Sequence, residues 1–251
     1  GSEMCIRDRL VIVDKTDNNY SFLPINRDTM SEVRLIQDDG TGAATAELQL
    51  CTAHWYGGNA GQSCANTVES ISKLFGGLKI DGYYAIPMDE IPKLNHSVGG
   101  VTVTLLEDFQ DIDRQMKKGE TLALSDEQAY RYIHDRYGVG DEKNTSRMKR
   151  QQQYMEAFFT KAKEKAKSDK AYVGQLFREF EQTATTNLTA KKISGLTNRL
   201  IKGTQKGFFE IKGTSKIGKA LGDGIDHAEF YPDKESIIDV MTKIYGLKKR
   251  E

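Results

Sequence analysis

Two short apolar runs, residues 10–13 and 20–25, are rich in β-branched and aromatic side chains and flank the polar stretch 14–19. That pattern predicts a β-hairpin, and Asn26-Arg27-Asp28-Thr29 then puts an arginine at a strand end. Residues 36–65 read mostly as loop, with a mildly helical pattern over 46–56. Asn66-Thr-Val-Glu69 has the spacing of a capping box. It predicts a helix that buries Val68, Ile71 and Phe75 and stops at Gly76-Gly77. A strand over 78–86, a short helix over 89–94 and a strand over 101–105 follow. In the last of these, alternation sets Val101, Val103 and Leu105 on one face.

Ser125-x-x-Gln128 is a second capping box, opening a helix with Ala129, Tyr132 and Ile133 on its apolar stripe. After a glycine-containing break at 137–141, a long helix is predicted over 146–167, with Tyr154, Phe158 and Ala162 spaced by four. Helices over 172–180 and 190–201, a strand over 208–212 and a polar, glycine-rich connection over 216–228 come next. Phe230 and Tyr231 read as extended. Pro232-Asp233 starts a final helix that buries Ile237, Ile238, Val240, Met241 and Ile244. Strands interspersed with helices along the chain predict an α/β fold, a central mixed sheet covered by helices on both faces in a three-layer α/β/α sandwich. With no repeat and no linker, residues 10–251 read as one domain. Residues 1–9, beginning with a tag-like Gly1-Ser2, read as a non-native or truncated leader.

Composition narrows the function. The 36 basic residues balance 36 acidic ones, which argues against a general nucleic-acid binder. Arg147-Met-Lys-Arg150 remains a local candidate for phosphate; the lysine-rich stretch 161–170 reads as a solvated helix face. No run reaches the roughly 18–20 apolar residues of a membrane helix and no signal peptide is visible, so any anchor is expected upstream. Cys5 falls in the leader. Cys51 and Cys64 admit three readings: a disulfide closing a glycine-rich loop, which is favoured and implies an oxidising compartment; a zinc site with His54 that lacks a fourth ligand; or two buried thiols.

Arginines stand near predicted element ends at Arg27-Asp28, at Arg136 and at Arg147-x-x-Arg150-Gln151. On a helix, Arg147 and Arg150 share a face. The planar guanidinium gives phosphate two parallel charge-assisted hydrogen bonds. Several arginines converging from separate elements would suit a pyrophosphate, whose charge grows on the leaving group during transfer. The competing reading pairs each with a nearby carboxylate such as Asp28, Asp135 or Glu156. No phosphate-binding glycine loop, dinucleotide fingerprint or nucleophile elbow is present. His134 sits beside the arginines, whereas His54, His96 and His227 read as structural or exposed. Trp55, Tyr56, Tyr83 and Tyr84 could stack on sugar, although packing is the plainer role.

The order of motifs resembles the LytR–CpsA–Psr family. Leu23-Pro-Ile-Asn-Arg-Asp-Thr29 is similar to its Pro-Arg-Asp segment. It is followed by Ala53-His-Trp-Tyr-Gly-Gly58, Asn66-Thr-Val-Glu69, Ile80-Asp-Gly-Tyr-Tyr84, Val98-Gly-Gly-Val101, Lys117-Lys-Gly-Glu120, Leu124-x-x-Glu-Gln-Ala129, Arg136 and Arg147-Met-Lys-Arg-Gln-Gln152. Each motif is weak alone; together they run in family order over residues 10–166. The C-terminal part, ending in Phe230-Tyr-Pro-Asp233, resembles clostridial-type members.

The resemblance implies an extracytoplasmic α/β/α domain behind an N-terminal membrane helix. Such a domain moves teichoic acid or capsular glycopolymer from a polyprenyl-pyrophosphate carrier to peptidoglycan. An apolar pocket takes the polyprenyl tail, arginines and Mg²⁺ hold the pyrophosphate, and aspartates serve the metal or activate the acceptor hydroxyl. Arg27, Arg136 and Arg147 fall on the pyrophosphate arginines and Asp28 on the motif's aspartate. Arg150, Gln151 and His134 fall on supporting substrate contacts. Four departures stand out: His134 replaces the first arginine of Arg-x-Arg, Asn26 the proline of Pro-Arg-Asp, and Gln49-Leu-Cys51 the family's Lys-Ile-Asn. The second metal aspartate meets Ile6, with Asp8 two residues on as a substitute, and an upstream Gly-x-Asp strand precedes residue 1. A polyprenyl-pyrophosphate hydrolase and a non-catalytic carrier-binding surface protein are the alternatives.

Overall fold

A computed structural model of the chain describes residues 9–37, 39–42 and 44–245. It resolves into two compact units: one combines the residues up to Ala85 with those from Thr185 onward, the other is the segment Ile86–Ala184.

The discontinuous unit opens with the predicted hairpin. Strand β1 (Arg9–Val13) pairs antiparallel with β2 (Tyr20–Pro24), Val11 opposite Phe22. Every residue from Tyr20 to Leu23 is buried, Ser21 included, as in a strand covered on both faces. In a second hairpin, β3 (Met30–Arg34), over residues given no element, pairs with β4 (Thr45–Gln49), in the stretch read as loop and helix. A 3₁₀ turn over Leu50–His54 follows.

Helix α1 (Ala60–Leu74) starts well before the expected capping box. The side chain of Asn59 accepts from the Gln62 amide and caps it, which leaves Asn66 inside the helix. Its buried stripe is largely polar, with Ser63, Asn66, Thr67 and Ser70 beside Cys64 and Ile71, so no apolar period announced its first turns. Asn66 Nδ2 donates to the carbonyls of Arg34 and Ala53 at 2.9 and 2.8 Å, fastening the hairpin and the 3₁₀ turn to the helix. The expected strand over 78–86 shrinks to β5 (Tyr84–Ala85).

In the Ile86–Ala184 unit, a 3₁₀ turn leads into α2 (Ile91–Ser97), and β6 (Thr102–Thr104) pairs antiparallel with β7 (Thr121–Ala123). Val101, Val103 and Leu105 are buried as the alternation required. Helix α3 (Asp126–His134) carries the predicted capping box with both reciprocal bonds formed. Helix α4 (Asn144–Ser168) and α5 (Tyr172–Glu179) complete the unit. Its core gathers Phe109, Met116, Tyr132, Ile133, Tyr154 and Phe158.

The chain re-enters the first unit through β8 (Thr185–Thr186), which pairs antiparallel with β5. Helix α6 (Ala190–Lys202) is followed by β9 (Gln205–Phe208), which adds in parallel to the open edge of β2. The β1-β2-β9 sheet is therefore mixed; the other sheets of the described residues have two strands each. Strands β10 (Gly213–Gly218) and β11 (His227–Pro232) form a third hairpin; β11 includes the extended Phe230 and Tyr231, while 216–218 were expected in a connection. β10 is exposed along nearly its whole length, so no buried face patterned its sequence. Helix α7 (Lys234–Tyr245) closes the described chain, with Val240 buried but Ile238 exposed.

Candidate functional site

The last turn of a helix leaves carbonyls without intrahelical donors. At the end of α3, α4 supplies those donors from one stretch of sequence. Arg150 donates to the Tyr132 carbonyl and, at 2.6 Å, to that of Asp135. Gln151 Nε2 donates to Ile133 O at 2.8 Å, and Arg147 reaches His134 O at a long 3.5 Å. Two cations thus sit at the negative end of the α3 dipole, and Arg147, Arg150 and Gln151 are all buried. Lysines farther along α4 serve α2 in the same way: Lys165 donates to Ser97 O at 2.7 Å and Lys161 to Gly100 O. Part of the lysine-rich face is therefore committed to capping rather than only solvated.

Arg150 is 1% exposed. Its Nε meets Glu107 Oε2 at 2.6 Å, and its guanidinium carbon lies 4.9 Å from the Phe109 ring centroid. Burial pushes this guanidinium below its ordinary pKa, opposed mainly by the Glu107 charge. Burial also raises the Tyr132 phenol to about 12. With Glu107 as its counter-ion and two carbonyls accepting from its guanidinium, Arg150 positions the end of α3. Glu107 was not anticipated: it lies 43 residues from its partner, and nothing local in Leu106-Glu107-Asp108 announces it.

Arg147 is held by Asn144 Oδ1 at 2.8 Å. Just past α3, Arg136 is half-buried; it donates to the Tyr137 hydroxyl and lies 4.5 Å from that ring's centroid. His134 stacks on Tyr130 at 4.8 Å, and its Nδ1 lies 2.9 Å from Asp135 Oδ1. His134, Arg136, Arg147, Arg150 and Gln151 are therefore neighbours around one helix end, although their motifs are separated in sequence.

Arg27 and Asp28 belong to the discontinuous unit. They occupy a turn fixed by backbone bonds: Cys51 N donates to Arg27 O at 3.0 Å and Phe230 N to Asp28 O at 2.7 Å. Arg27 Nε is 3.7 Å from Asp28 Oδ1, so the competing carboxylate pairing is realised here. Asp135 and Glu156 instead engage His134 and Gln152. Asn26, in the place of the motif's proline, accepts the Asp28 amide through Oδ1 at 3.0 Å.

The expected disulfide does not form. Cys51, in the 3₁₀ turn, and Cys64, in α1, are unbridged buried thiols. Cys64 Sγ faces His54 Nε2 at 3.7 Å instead, and burial lowers the His54 pKa. Trp55, expected to pack, is 58% exposed. Among the described residues no three His, Cys, Asp or Glu side chains gather into a metal site, which also removes the zinc reading. Asp8, the candidate Mg²⁺ ligand, lies outside the described residues. No helix among them is long and apolar enough to cross a membrane.

The model of the LytR–CpsA–Psr family matches residues 9–243. The chain belongs to the LytR–CpsA–Psr family. Solved structures agree on the fold. Lin1025 from Listeria innocua is 21% identical with a TM-score of 0.66, covering 96% of this chain and 93% of its own. TagV of B. subtilis is 20% identical with a TM-score of 0.68, covering 96% and 88%. TagT, also known from B. subtilis, in its structure bound to LI-WTA is 18% identical with a TM-score of 0.67, covering 96% and 83%. No curated protein matches the chain by sequence. In this LytR–CpsA–Psr member, the second arginine of Arg-x-x-Arg and the glutamine after it donate to carbonyls at the end of α3, while Arg136 is half-buried beside Tyr137.

Proposed function

We propose that the chain is a cell-wall glycopolymer phosphotransferase, taking a polymer of teichoic-acid or capsular type from a polyprenyl-pyrophosphate carrier and joining it to peptidoglycan at the bacterial cell surface. The family's motif order assigns each of Arg27, Arg136 and Arg147 to phosphate binding. An acceptor sugar hydroxyl forms a bond to the glycan-proximal phosphorus, its proton passes to Asp28, and the bond to the distal phosphate breaks to release polyprenyl phosphate. The family match carries this reading, and the TagT complexes with LI-WTA and LIIa-WTA point to the wall-polymer class.

The packing of the discontinuous unit supports an apolar ligand. Among its described residues, one core cluster has six buried members and ten partly buried ones, including Leu10, Ile12, Phe209 and Ile211. Helix α6 has no buried residue, although Ile193, Leu196, Leu200 and Ile201 lie along it at helical spacing. Apolar surface left half-covered in this way suits a polyprenyl chain.

The test supplies a polyprenyl-pyrophosphate-linked oligosaccharide with and without a peptidoglycan fragment. Polymer joined through a phosphodiester is expected only when the fragment is present. Phosphate release at the same rate without it would make the protein a hydrolase.

A further inference from the structure

The loop between α3 and α4 displays one large side chain, Tyr137, 72% exposed. Isolated exposed aromatics need no explanation by themselves, and glycine-rich loop tips such as Gly138-Val-Gly140 are ordinarily mobile. This loop is fastened. Val139 is 1% exposed. Gly140 adopts φ +54°, and a Cβ there would lie 1.9 Å from Glu107 Oε1, so the backbone packs directly against the partner of Arg150. Gly138 N donates to Glu142 Oε1 at 2.8 Å, and Glu142 N donates to Val139 O at 3.1 Å.

Tyr137 is oriented as well as displayed. The Arg136 guanidinium lies 4.5 Å from its ring centroid and donates to its hydroxyl. A cation covers part of the aromatic surface, and the exposure leaves the rest open to solvent. An exposed aromatic ring backed by a guanidinium is the type of surface on which the apolar C–H face of a pyranose stacks.

We propose that Tyr137 is a sugar-stacking platform that binds the carrier-proximal sugar of the donor, directly beside the phosphate held by Arg136. The inference rests on the pyrophosphate-carrier reading and deepens it. It makes the loop a recognition element for the glycan, distinct from the groups that recognise phosphate or lipid.

The test measures dissociation constants for geranylgeranyl pyrophosphate and for the same molecule carrying one N-acetylglucosamine. Tyr137→Ala is expected to weaken the sugar-bearing probe about three- to tenfold, the range of a single aromatic stacking contact, and to leave the sugar-free probe unchanged. Tyr137→Phe keeps the ring and is expected to stay within about twofold of the parent on both. Equal weakening of both probes in Tyr137→Ala would overturn the proposal, because the ring would then act only by orienting Arg136. Unchanged affinity for both would overturn it too. If the unsubstituted protein binds neither probe, the carrier reading fails and takes this proposal with it.

Discussion

Arg150 illustrates how a residue's role depends on where its donors go. The fork that makes arginine a phosphate ligand serves equally for backbone carbonyls, and here it donates to those of Tyr132 and Asp135 and pairs its charge with Glu107. Replacing it by Met would leave Glu107, 12% exposed, as a nearly buried charge without its cation. Arg150→Met is expected to lower unfolding free energy by about 3–5 kcal/mol, read from urea unfolding; Arg150→Met with Glu107→Gln should recover part of it. A shift under 1 kcal/mol would show the pair to be peripheral. His54 gives a pH dependence. Its Nδ1 is buried without a hydrogen-bond partner, and burial lowers its pKa from 6.5. The folded chain therefore binds a proton less readily than the unfolded one, and stability falls as pH drops below 6.5 toward the folded value. His54→Gln is expected to flatten the urea midpoint between about pH 7 and 5; an identical slope in both proteins would contradict the burial argument.

Among the elements, those with an apolar period or a side-chain cap were legible, and those held by polar burial were not. Ser125 and Gln128 announced α3, and the structure forms both bonds of that box. Ser125→Ala is expected to lower stability by about 1 kcal/mol in denaturant unfolding, and no change would mean that tertiary packing alone sets the start of α3. Asn66-Thr-Val-Glu69 has the same spacing yet lies inside α1, because Asn59 caps that helix and Asn66 is needed by the Arg34 and Ala53 carbonyls. Strands β3 and β10 were missed for a related reason, although β4 alternates as Thr45-Ala-Glu-Leu-Gln49 and part of β11 read as extended. β3 buries Ser31 along with Met30 and Val33, while β10 is exposed nearly throughout. In β3 one inward position is the polar Ser31, and β10 has no buried face to imprint the alternation of a half-buried strand.

At the scale of the whole molecule, the α/β class and the family were legible from motif order, and the site was legible in part. Sequence spacing identified the arginines but could not say which of them α3 would claim; that depended on Glu107 and on the orphan carbonyls of a helix end. The account divides the family's arginines into those that build the site, Arg150 foremost, and those that meet the substrate. Single-turnover transfer from a polyprenyl-pyrophosphate-linked oligosaccharide, measured alongside thermal unfolding, tests that division most directly. Arg27→Ala and Arg136→Ala are each expected to slow transfer about a hundredfold or more at an unchanged melting temperature. Undiminished transfer in both variants would contradict the account.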